Sequence, residues 1–471
     1  LTVPVQVSDG IAASAPFDLR IEVTPVNDPP AVTGQGDLVF EEDSLVLIAV
    51  ADLRITDVDS DAHRVLIEAG DGYVVEGAGA RPSPDRVGEL RVQLRVEDDG
   101  GAQSEVFAAR VTLTPVNDAP TPQADAYDDV VSNAPLSVGA GEGLLANDTD
   151  PDADALQVVP GRLDTEAQGT VEVFADGRFE YLNKAGFLGV DRFAYTVRDA
   201  AGVEARANVS ITLEHRVWFV DNRVEGGDGT LRSPAGTLAR TGEIAQPRDV
   251  TYVFNGDGTS TGLTGPLVLH ESQRLVGEAV ALRLGRNLDL PAGPRPTLSG
   301  ATGPILILSP GAQVTGLTLA DGELGIGGQG VPGAGVSDVL FDGLVTAVVI
   351  VETEGAVTLR GLDIANVRAA GIVLDRTLTV SLDDVVIAGN GQGVLARNIG
   401  TLRITGEGRI HTSGPALGLT DVTTLEAELV EVDAEHAGDA AVGLKRVAGG
   451  SLVIDTLRAS GDTRAGVSLT D

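Results

Sequence analysis

Short apolar segments recur about every 22 residues through the second half of this 471-residue chain. Successive segments start 22, 21, 23, 22, 23 and 27 residues apart, and most are followed 11 to 16 residues later by a second segment. The first segments start at Val314, Val336, Val357, Val380, Leu402, Leu425 and Leu452, and the second segments are residues 371–374, 393–396, 416–419, 441–444 and 466–469. Short strands with a period of 20–25 residues indicate a solenoid, in which each repeat packs on its neighbours.

Two common solenoids do not fit this region. The leucine and asparagine spacing of leucine-rich repeats is absent, and no helix-length segment separates the strands. A parallel β-helix is therefore predicted for residues 216–471. Residues 217–222 open it as a strand. Ser233 before Pro234 predicts a helix running toward Gln246, because serine is a good N-cap and proline suits the first helical position.

The same region resembles right-handed β-helix proteins of the pectin-lyase-like group. Residues 218–222 (Trp-Phe-Val-Asp-Asn) and 227–230 (Gly-Asp-Gly-Thr) are similar to the N-terminal entries of bacterial members. The resemblance implies that the short helix caps the first coil and covers an open strand edge. It also keeps open an enzymatic function, since members of that group often bind or cleave polysaccharides.

A different repeat occupies the first half of the chain, with an offset of 90 residues. Residues 24–30 (Thr-Pro-Val-Asn-Asp-Pro-Pro) recur as residues 114–120, with alanine in place of the first of the two final prolines. Each copy follows a stretch in which apolar and polar residues alternate, which is typical of half-buried strands. The proline-rich tail ends each unit because proline cannot continue a strand ladder.

These patterns predict all-β architecture, with tandem β-sandwich repeats followed by the parallel β-helix. The predicted boundaries are a C-terminal remnant of one repeat at residues 1–30, a second repeat at 31–120, a variant third repeat at 121–215, and the β-helix at 216–471. The Val-Asn-Asp-Pro-Pro linker and the run at residues 147–154 (Asn-Asp-Thr-Asp-Pro-Asp-Ala-Asp) resemble bacterial cadherin-like and Ig-like tandem repeats of large surface adhesins.

Acidic residues follow each linker about thirty positions downstream. Asp57 and Asp59 follow the first linker, and an acidic run at residues 148–154 follows the second. Alternate carboxylates in an extended loop can converge on one hard cation, and Ca²⁺ takes six to eight oxygen ligands. The alternative is that these are solvated turn residues, because aspartate and asparagine favour turns without any ion. Asp125, Asp128 and Asp129 are predicted to be a solvated start of the third repeat.

The cadherin-like resemblance implies specific calcium ligands. In such proteins an Asn-Asp linker and a downstream Asp-x-Asp pair bind calcium between successive domains. The implied ligands at the first junction are Asn27, Asp28, Asp57 and Asp59. Those at the second junction are Asn117, Asp118, Asp150 and Asp152. Glu42 resembles the acidic residue at the domain base.

The overall charge has a matching distribution. The formal net charge is −36, and residues 1–215, with 39 acidic and 14 basic residues, carry −25 of it. This balance argues against nucleic-acid and anionic membrane partners, which require basic surfaces. No apolar run approaches the roughly 20 residues of a membrane span. The absence of cysteine excludes disulfides, thiolate metal sites and cysteine nucleophiles.

One polar patch is predicted on the β-helix. If equivalent positions in successive coils stack about 4.8 Å apart, then Asp342 stacks with Asp363 and Arg360 with Asp383, next to Asp384. The favoured interpretation of this patch is that its polar residues simply face solvent. The alternative is a weak binding site for a cation or a sugar. Catalysis is disfavoured, because the polygalacturonase-type motifs are missing and Phe341 is the only aromatic residue after residue 300.

The sequence therefore predicts a non-enzymatic segment of a large extracellular adhesin or surface fibre. Calcium-rigidified sandwich repeats form its stalk, and the β-helix is a rod or ligand-presenting module. Expected partners are other copies or flanking repeats of the same protein, and a cell-surface or polysaccharide ligand. The alternative is a secreted polysaccharide-binding or polysaccharide-degrading β-helix enzyme with accessory sandwich repeats.

Overall fold

The computed structural model describes residues 1–389, 391–436, 438, 440–462 and 465–470. It confirms the all-β fold class, with sandwich repeats followed by a parallel β-solenoid of about nine turns. Residues 1–121, 149–155 and 199–204 form one compact unit, and residues 122–148, 156–198 and 205–471 form a second. The domain limits at residues 30, 120 and 215 stay predictions.

The first unit is built from ten strands and a 3-10 helix at Val50–Asp52. Strands β1 to β10 are Thr2–Val5, Phe17–Arg20, Ala31–Gln35, Leu38–Glu41, Leu53–Thr56, His63–Ile67, Tyr73–Glu76, Gly79–Pro82, Gly88–Asp98 and Phe107–Thr114. The main sheet has the order β4-β10-β9-β6, in which β4 runs parallel to β10 and the other pairs are antiparallel. The pairs β1–β2, β3–β5 and β7–β8 are antiparallel. Alternate residues of β9, from Leu90 to Val96, are buried, as the period of two predicts.

Most of the third repeat lies in the second unit. Strands β11 to β18 are Asp125–Ser132, Leu136–Val138, Gln157–Val158, Gly161–Asp164, Thr170–Val173, Phe179–Leu182, Gly189–Arg198 and Glu204–Val220, and a 3-10 helix spans Ala140–Glu142. One sheet has the order β12-β16-β15-β14, and β11, β13, β17 and β18 are joined in another. The core between them includes Tyr127, Phe179 and Phe193, whose rings meet edge to face.

The solenoid continues the second sheet. Strands β19 to β37 are Val250–Val253, Leu267–Val268, Arg274–Gly277, Leu282–Leu284, Leu288–Leu290, Thr297–Ser299, Pro304–Ile307, Gln313–Ala320, Leu324–Gln329, Gly335–Asp342, Thr346–Ala365, Ala370–Asp383, Val386–Gly389, Gln392–Thr405, Arg409–Thr412, Leu417–Glu435, Ala440–Val447, Gly450–Ser460 and Ala465–Thr470. All their pairings are parallel except the β22–β23 hairpin. One apolar column fills the interior from Val220 to Val442.

The register of two solenoid coils differs from the sequence prediction. Val314 pairs with Val336 as predicted, but Val336 pairs with Leu359 and not with Val357. Val357 and Leu359 are both fully buried. Because successive strand residues alternate between faces, a shift of two residues keeps every side chain on its face. The apolar pattern therefore fixes the face of each strand but cannot distinguish these two registers.

The only α-helix among the described residues, α1, spans Leu238–Ile244, so the predicted start at Ser233 was wrong. Thr237 is its N-cap, and the Thr237 side chain accepts a hydrogen bond from the backbone N–H of Arg240 at 3.3 Å. The Ser233-Pro234 segment instead leads into Ala235, which forms a parallel bridge with Val220. Pairing with the sheet thus overrides the local capping signal. Within the described ranges, no helix is long and apolar enough to cross a membrane.

A single strand joins the third repeat to the solenoid. β18 pairs in parallel with β11 of the sandwich through residues 209–216 and with β19 of the first coil through residues 217–220. The predicted limit at residue 215 falls inside this strand. Side chains from both parts share one small core, which contains Val131, Ala134, Phe219 and Tyr252.

Candidate metal centre

Strand pairing places Glu42 beside the second linker. β4 runs parallel to β10, with Glu41 opposite Thr114, so the residue after β4 lies next to the chain that leaves β10. The Glu42 backbone N–H donates to the carbonyl oxygen of Thr114 at 3.0 Å. Its carboxylate Oε1 accepts from the backbone N–H of Val116 at 2.9 Å. Glu42 is only 3% exposed, which is a costly position for a charge unless another group compensates it.

Two loops from the third repeat complete this region of the first unit. Asn117 Nδ2 donates to Asp199 Oδ2 at 2.7 Å, and the Asp118 backbone N–H donates to Asp152 Oδ2 at 2.7 Å. Asp150 Oδ1 accepts from the backbone N–H of Asp152 at 2.9 Å. The linker and both loops are thus held together by hydrogen bonds to carboxylates.

The carboxylates converge as metal ligands do. One ligand oxygen from each of Glu42, Asp118 and Asp152 lies within 4.8 Å of the other two. A second group, with the same limit, contains Asp43, Asp85 and Asp118. Asp118 belongs to both, so the two groups form one acidic centre. The residues Glu42, Asp43, Asp85, Asp118 and Asp152 are called the junction centre below.

The electrostatics of the junction centre favour a bound cation. Burial, together with the charges of Asp43, Asp85, Asp152 and Glu42, raises the pKa of Asp118 above its ordinary value. Asp118 Oδ2 and Asp150 Oδ2 are buried and have no hydrogen-bond partner among the described residues. Buried oxygens without donors are rare in folded proteins. An all-oxygen, mostly carboxylate donor set fits Ca²⁺, whose preferred ligands are carboxylates and carbonyls.

Of the residues predicted for the second junction, Asp118 and Asp152 converge with Glu42, the acid predicted at the domain base. Asp150 is hydrogen-bonded to the Asp152 backbone, and Asn117 contacts Asp199 through its amide nitrogen. The sequence prediction missed Asp43, Asp85 and Asp199. Asp43 directly follows Glu42, so the sequence alone could have suggested it as a further ligand. Asp85 lies in a loop without a repeated acidic pattern, and only the fold brings it near the linker. Asp199 does repeat Asp98, because residues 96–101 (Val-Glu-Asp-Asp-Gly-Gly) and 197–202 (Val-Arg-Asp-Ala-Ala-Gly) share the valine, the aspartate and the final glycine.

The first junction has the same kind of linker contacts as the second, but its carboxylates do not converge. Asn27 Nδ2 donates to both oxygens of Asp98 at 3.1 and 3.0 Å, and the Asp28 backbone N–H donates to Asp59 Oδ2 at 3.0 Å. Asp57 Oδ2 instead lies 2.9 Å from His63 Nε2, and this hydrogen bond lowers the pKa of Asp57. Within the described part of the chain, these residues form no group of three converging ligands. The calcium ligands predicted at the first junction, Asn27, Asp28, Asp57 and Asp59, stay a prediction.

The start of the third repeat contains a buried acid that was predicted to be solvated. Asp128 and Asp129 are exposed as predicted. Asp125 Oδ2, however, is buried without a hydrogen-bond partner among the described residues. Burial is the main cause that raises the pKa of Asp125 to about 6. The nearby Asp148 contributes through its charge and accepts a hydrogen bond from the Tyr195 hydroxyl at 3.2 Å.

The predicted patch on the solenoid is only partly assembled. Arg360 does stack on Asp383, and their side chains form an ion pair of 3.2 Å between Nε and Oδ2. Asp342 and Asp363 do not share a column, because Asp342 pairs with Ala365 and Asp363 pairs with Leu340. The prediction that Asp342 and Asp363 stack was wrong for the same reason as the predicted pairing of Val336 with Val357, namely a shift of two residues between these coils.

Arginine and amide side chains satisfy the acids of this surface. Asn366 Nδ2 donates to Asp342 Oδ1 at 2.7 Å. Asp384 Oδ1 accepts from the backbone N–H of Glu407 at 2.9 Å. Elsewhere on the solenoid, Arg403 pairs with Glu426 at 2.7 Å. Carboxylates that are stacked on basic residues do not form a concentrated anionic site.

Comparison with known proteins identifies one domain. Residues 117–215 match the model of the bacterial cadherin-like domain family. The chain therefore contains a cadherin-like domain followed by a β-solenoid. No curated protein gives a significant match to the sequence.

Similar solved structures include human mucin-like protocadherin domains EC1-2, at 17% identity, 39% of this chain, 98% of that chain and a TM-score of 0.23. Drosophila N-cadherin EC1-3 is 12% identical over 40% of this chain and 68% of its own, with a TM-score of 0.19. An endo-fucoidan hydrolase of glycoside hydrolase family 107 is 14% identical over 45% of this chain and 33% of its own, with a TM-score of 0.18. At these scores the likenesses bear on neither ligand nor activity.

Proposed function

We propose that this chain is a segment of an extracellular, adhesin-type surface protein in which the junction centre binds calcium. The observation that carries the proposal is the convergence of Glu42, Asp118 and Asp152 within 4.8 Å around a buried, unpartnered Asp118 oxygen. A divalent cation would neutralise the facing charges and provide the missing partner. Without it, like charges at this distance repel one another.

Calcium would have a mechanical role at this position. The junction centre joins the end of β4 and the linker to the loop at residues 149–155, whose two ends continue into the second unit. An ion bound there would restrict the motion of that loop and stiffen the linker. We propose that the sandwich repeats act as a stalk, and that the solenoid acts as a rod or presents a ligand-binding surface. Partners would be flanking repeats, other copies of the protein, or a polysaccharide.

The role is proposed to be non-enzymatic. The acids of the solenoid surface that would be the best catalytic candidates are separated by the register or bonded to Arg360 and Asn366. A glycosidase needs two carboxylates with distinct and free roles. A depolymerisation assay on acidic polysaccharides should therefore show no activity. Activity that is lost in Asp363→Ala would overturn this part of the proposal.

A calcium titration tests the metal site. Extracellular calcium modules bind with dissociation constants of about 10⁻⁴–10⁻³ M, so millimolar calcium should saturate the site. Isothermal titration calorimetry on the full chain should show binding that Asp118→Asn weakens at least tenfold. Asp28→Asn is the matched control, because it removes the equivalent acid of the first junction, and its effect should be small. Equal titrations of the wild type and Asp118→Asn would contradict the proposal.

A further inference from the structure

The two sandwich repeats differ in the two residues at the end of the strand that pairs in parallel with the last strand of the repeat, which is β4 in the second repeat and β11 in the third. Glu42 and Asp43 occupy this place in the second repeat, and Ser132 and Asn133 occupy it in the third, at the same 90-residue offset as the linkers. The backbone is equivalent as well, because Asp43 and Asn133 both have left-handed conformations, with φ of 58° and 70°. Asparagine and aspartate are the non-glycine residues that adopt this region most readily.

The neutral pair in the third repeat is fully bonded. Asn133 is 3% exposed, and its Nδ2 donates to the carbonyl oxygen of Val217 at 3.0 Å, while its Oδ1 accepts from the Gly186 backbone N–H at 2.7 Å. Ser132 Oγ accepts from Asn183 Nδ2 at 2.9 Å. An acid at position 133 would lose the donor that Val217 requires and would bury a charge without a partner.

The chain that leaves each repeat differs in the corresponding way. Pro115 follows β10 and ends its ladder, whereas β18 has no proline and continues from the sandwich into the first solenoid coil. Asp249, 3% exposed, accepts hydrogen bonds from Arg216 Nε at 2.9 Å and from Trp218 Nε1 at 2.8 Å. Arg216 and Trp218 are two residues apart, so their side chains lie on the same face of β18, and Asp249 holds that face of the shared strand.

The solenoid also contacts the sandwich through a hairpin of its own. Between β22 and β23, Asn287 Oδ1 accepts from the Val131 backbone N–H at 2.7 Å. Asn287 Nδ2 donates to the carbonyl oxygens of Val131 at 3.1 Å and Ala134 at 3.2 Å. Asn287 therefore pairs with the backbone of β11 beside Ser132 and Asn133, as an added strand residue would.

We propose that Ser132 and Asn133 make the third repeat the built-in N-terminal cap of the solenoid, joined without a metal ion. A solenoid must protect the open edge of its first coil, and polar-faced terminal units commonly do so. Here the cap is a complete sandwich whose base binds a protein strand. The contrast with a metal-binding base at Glu42 and Asp43 rests on the proposed calcium site; the capping role itself does not.

Reciprocal substitutions in the full chain test the assignment by hydrogen exchange, with calcium and with EGTA. Ser132→Glu/Asn133→Asp should raise exchange by tenfold or more at residues 217–220 and 250–253, equally in both buffers. Gln157→Glu/Ala175→Glu is the matched control, since it adds two charges at exposed positions of the same repeat, and it should leave these amides protected. Asn287→Ala is a milder second variant that should increase exchange in the same strands if the first variant fails to fold.

Unchanged protection at residues 217–220 in both Ser132→Glu/Asn133→Asp and Asn287→Ala would overturn the cap. If calcium restored the protection of these amides in the Ser132→Glu/Asn133→Asp variant, the proposal that Ser132 and Asn133 join the two parts without a metal ion would be overturned. The reciprocal variant Glu42→Ser/Asp43→Asn should show the same hydrogen exchange with calcium as with EGTA. Residues 217–220 should stay protected in it. If it remains calcium-responsive, the proposed metal site fails while the cap stands.

Discussion

The junction centre and the solenoid surface handle negative charge in opposite ways. In the junction centre, carboxylates face carboxylates. Arg81 donates to the backbone carbonyl of Asp43 at 3.2 Å, but its ion pair is with Glu76. On the solenoid, several acids lie next to an arginine of a neighbouring coil, as in Arg360 with Asp383 and Arg403 with Glu426. The first arrangement would be stabilised by the proposed calcium ion, whereas these solenoid pairs are already neutralised within the protein. Calcium, pH and core substitutions should therefore affect the two regions differently.

The largest expected effect separates core packing from ions. Phe341 is 1% exposed within the solenoid, and Phe341→Ala should lower the free energy of unfolding of the second unit by about 3–5 kcal/mol, because it leaves a cavity. Thermal denaturation should show the same loss with calcium or EGTA. Leu378→Ala, at a residue that is 57% exposed, is the control and should change little. A loss that calcium reverses would erase the contrast between the regions.

Calcium removal should give the next largest effect, confined to the first unit. At a calcium concentration ten times the dissociation constant, binding stabilises the folded state by about 1.4 kcal/mol. That corresponds to a shift of roughly 5–10 °C in the melting of a domain near 100 residues. Differential scanning calorimetry should show this shift in the wild type and not in Glu42→Gln. An equal shift in both proteins would mean that the ion binds elsewhere.

Acidification should act on the third repeat through Asp125. The pKa of Asp125 is about 6 in the folded protein, above the ordinary value of 3.8, so folding favours its protonated form. The second unit should lose stability as the pH rises from about 4 to about 6, by roughly 1 kcal/mol after allowance for partial exposure. Asp125→Asn should remove this slope in urea titrations at about pH 4 and about pH 7, on either side of that window. A variant that keeps the wild-type slope would assign the effect to another acid.

The smallest effect is expected for the stacked ion pairs of the solenoid. Arg360 is 65% exposed at its side chain, and exposed pairs contribute about 0–1 kcal/mol. Arg360→Ala should therefore lower stability by less than 1 kcal/mol in denaturant titrations. It should also leave calcium binding by calorimetry unchanged. New calcium binding in this variant would show that arginine alone keeps the solenoid acids from holding ions.

Strand periodicity made much of the fold predictable, because side-chain alternation shows directly which residues face a core. The second-segment register, such as Ile372 beside Val394, follows from it. The pairing of Val336 with Leu359 did not, since both alternatives bury the same kinds of residue. The start of α1 was mispredicted because the pairing of Ala235 with Val220 outweighs the Ser-Pro signal.

The candidate site was predictable only where it repeats. Asp118 stands in the repeated linker and Asp152 in the acidic run downstream of it, and the Asp118 backbone N–H donates to the Asp152 carboxylate. Asp85 and Asp199 come from separate loops, and their proximity depends on the sandwich closing correctly. The role of the neutral residues Ser132 and Asn133 could not be predicted from these two residues alone. It becomes apparent only by comparison with Glu42 and Asp43 at the equivalent positions.

The continuity of β18 determines how this chain would bear force. Tension that enters along the backbone reaches a strand held by parallel hydrogen bonds to β11 on one part of its length and to β19 on the next. Bonds along such a strand are loaded together in shear and do not open one at a time as in a zipper. The third repeat and the solenoid should therefore yield as one body, in a single step of the force–extension curve.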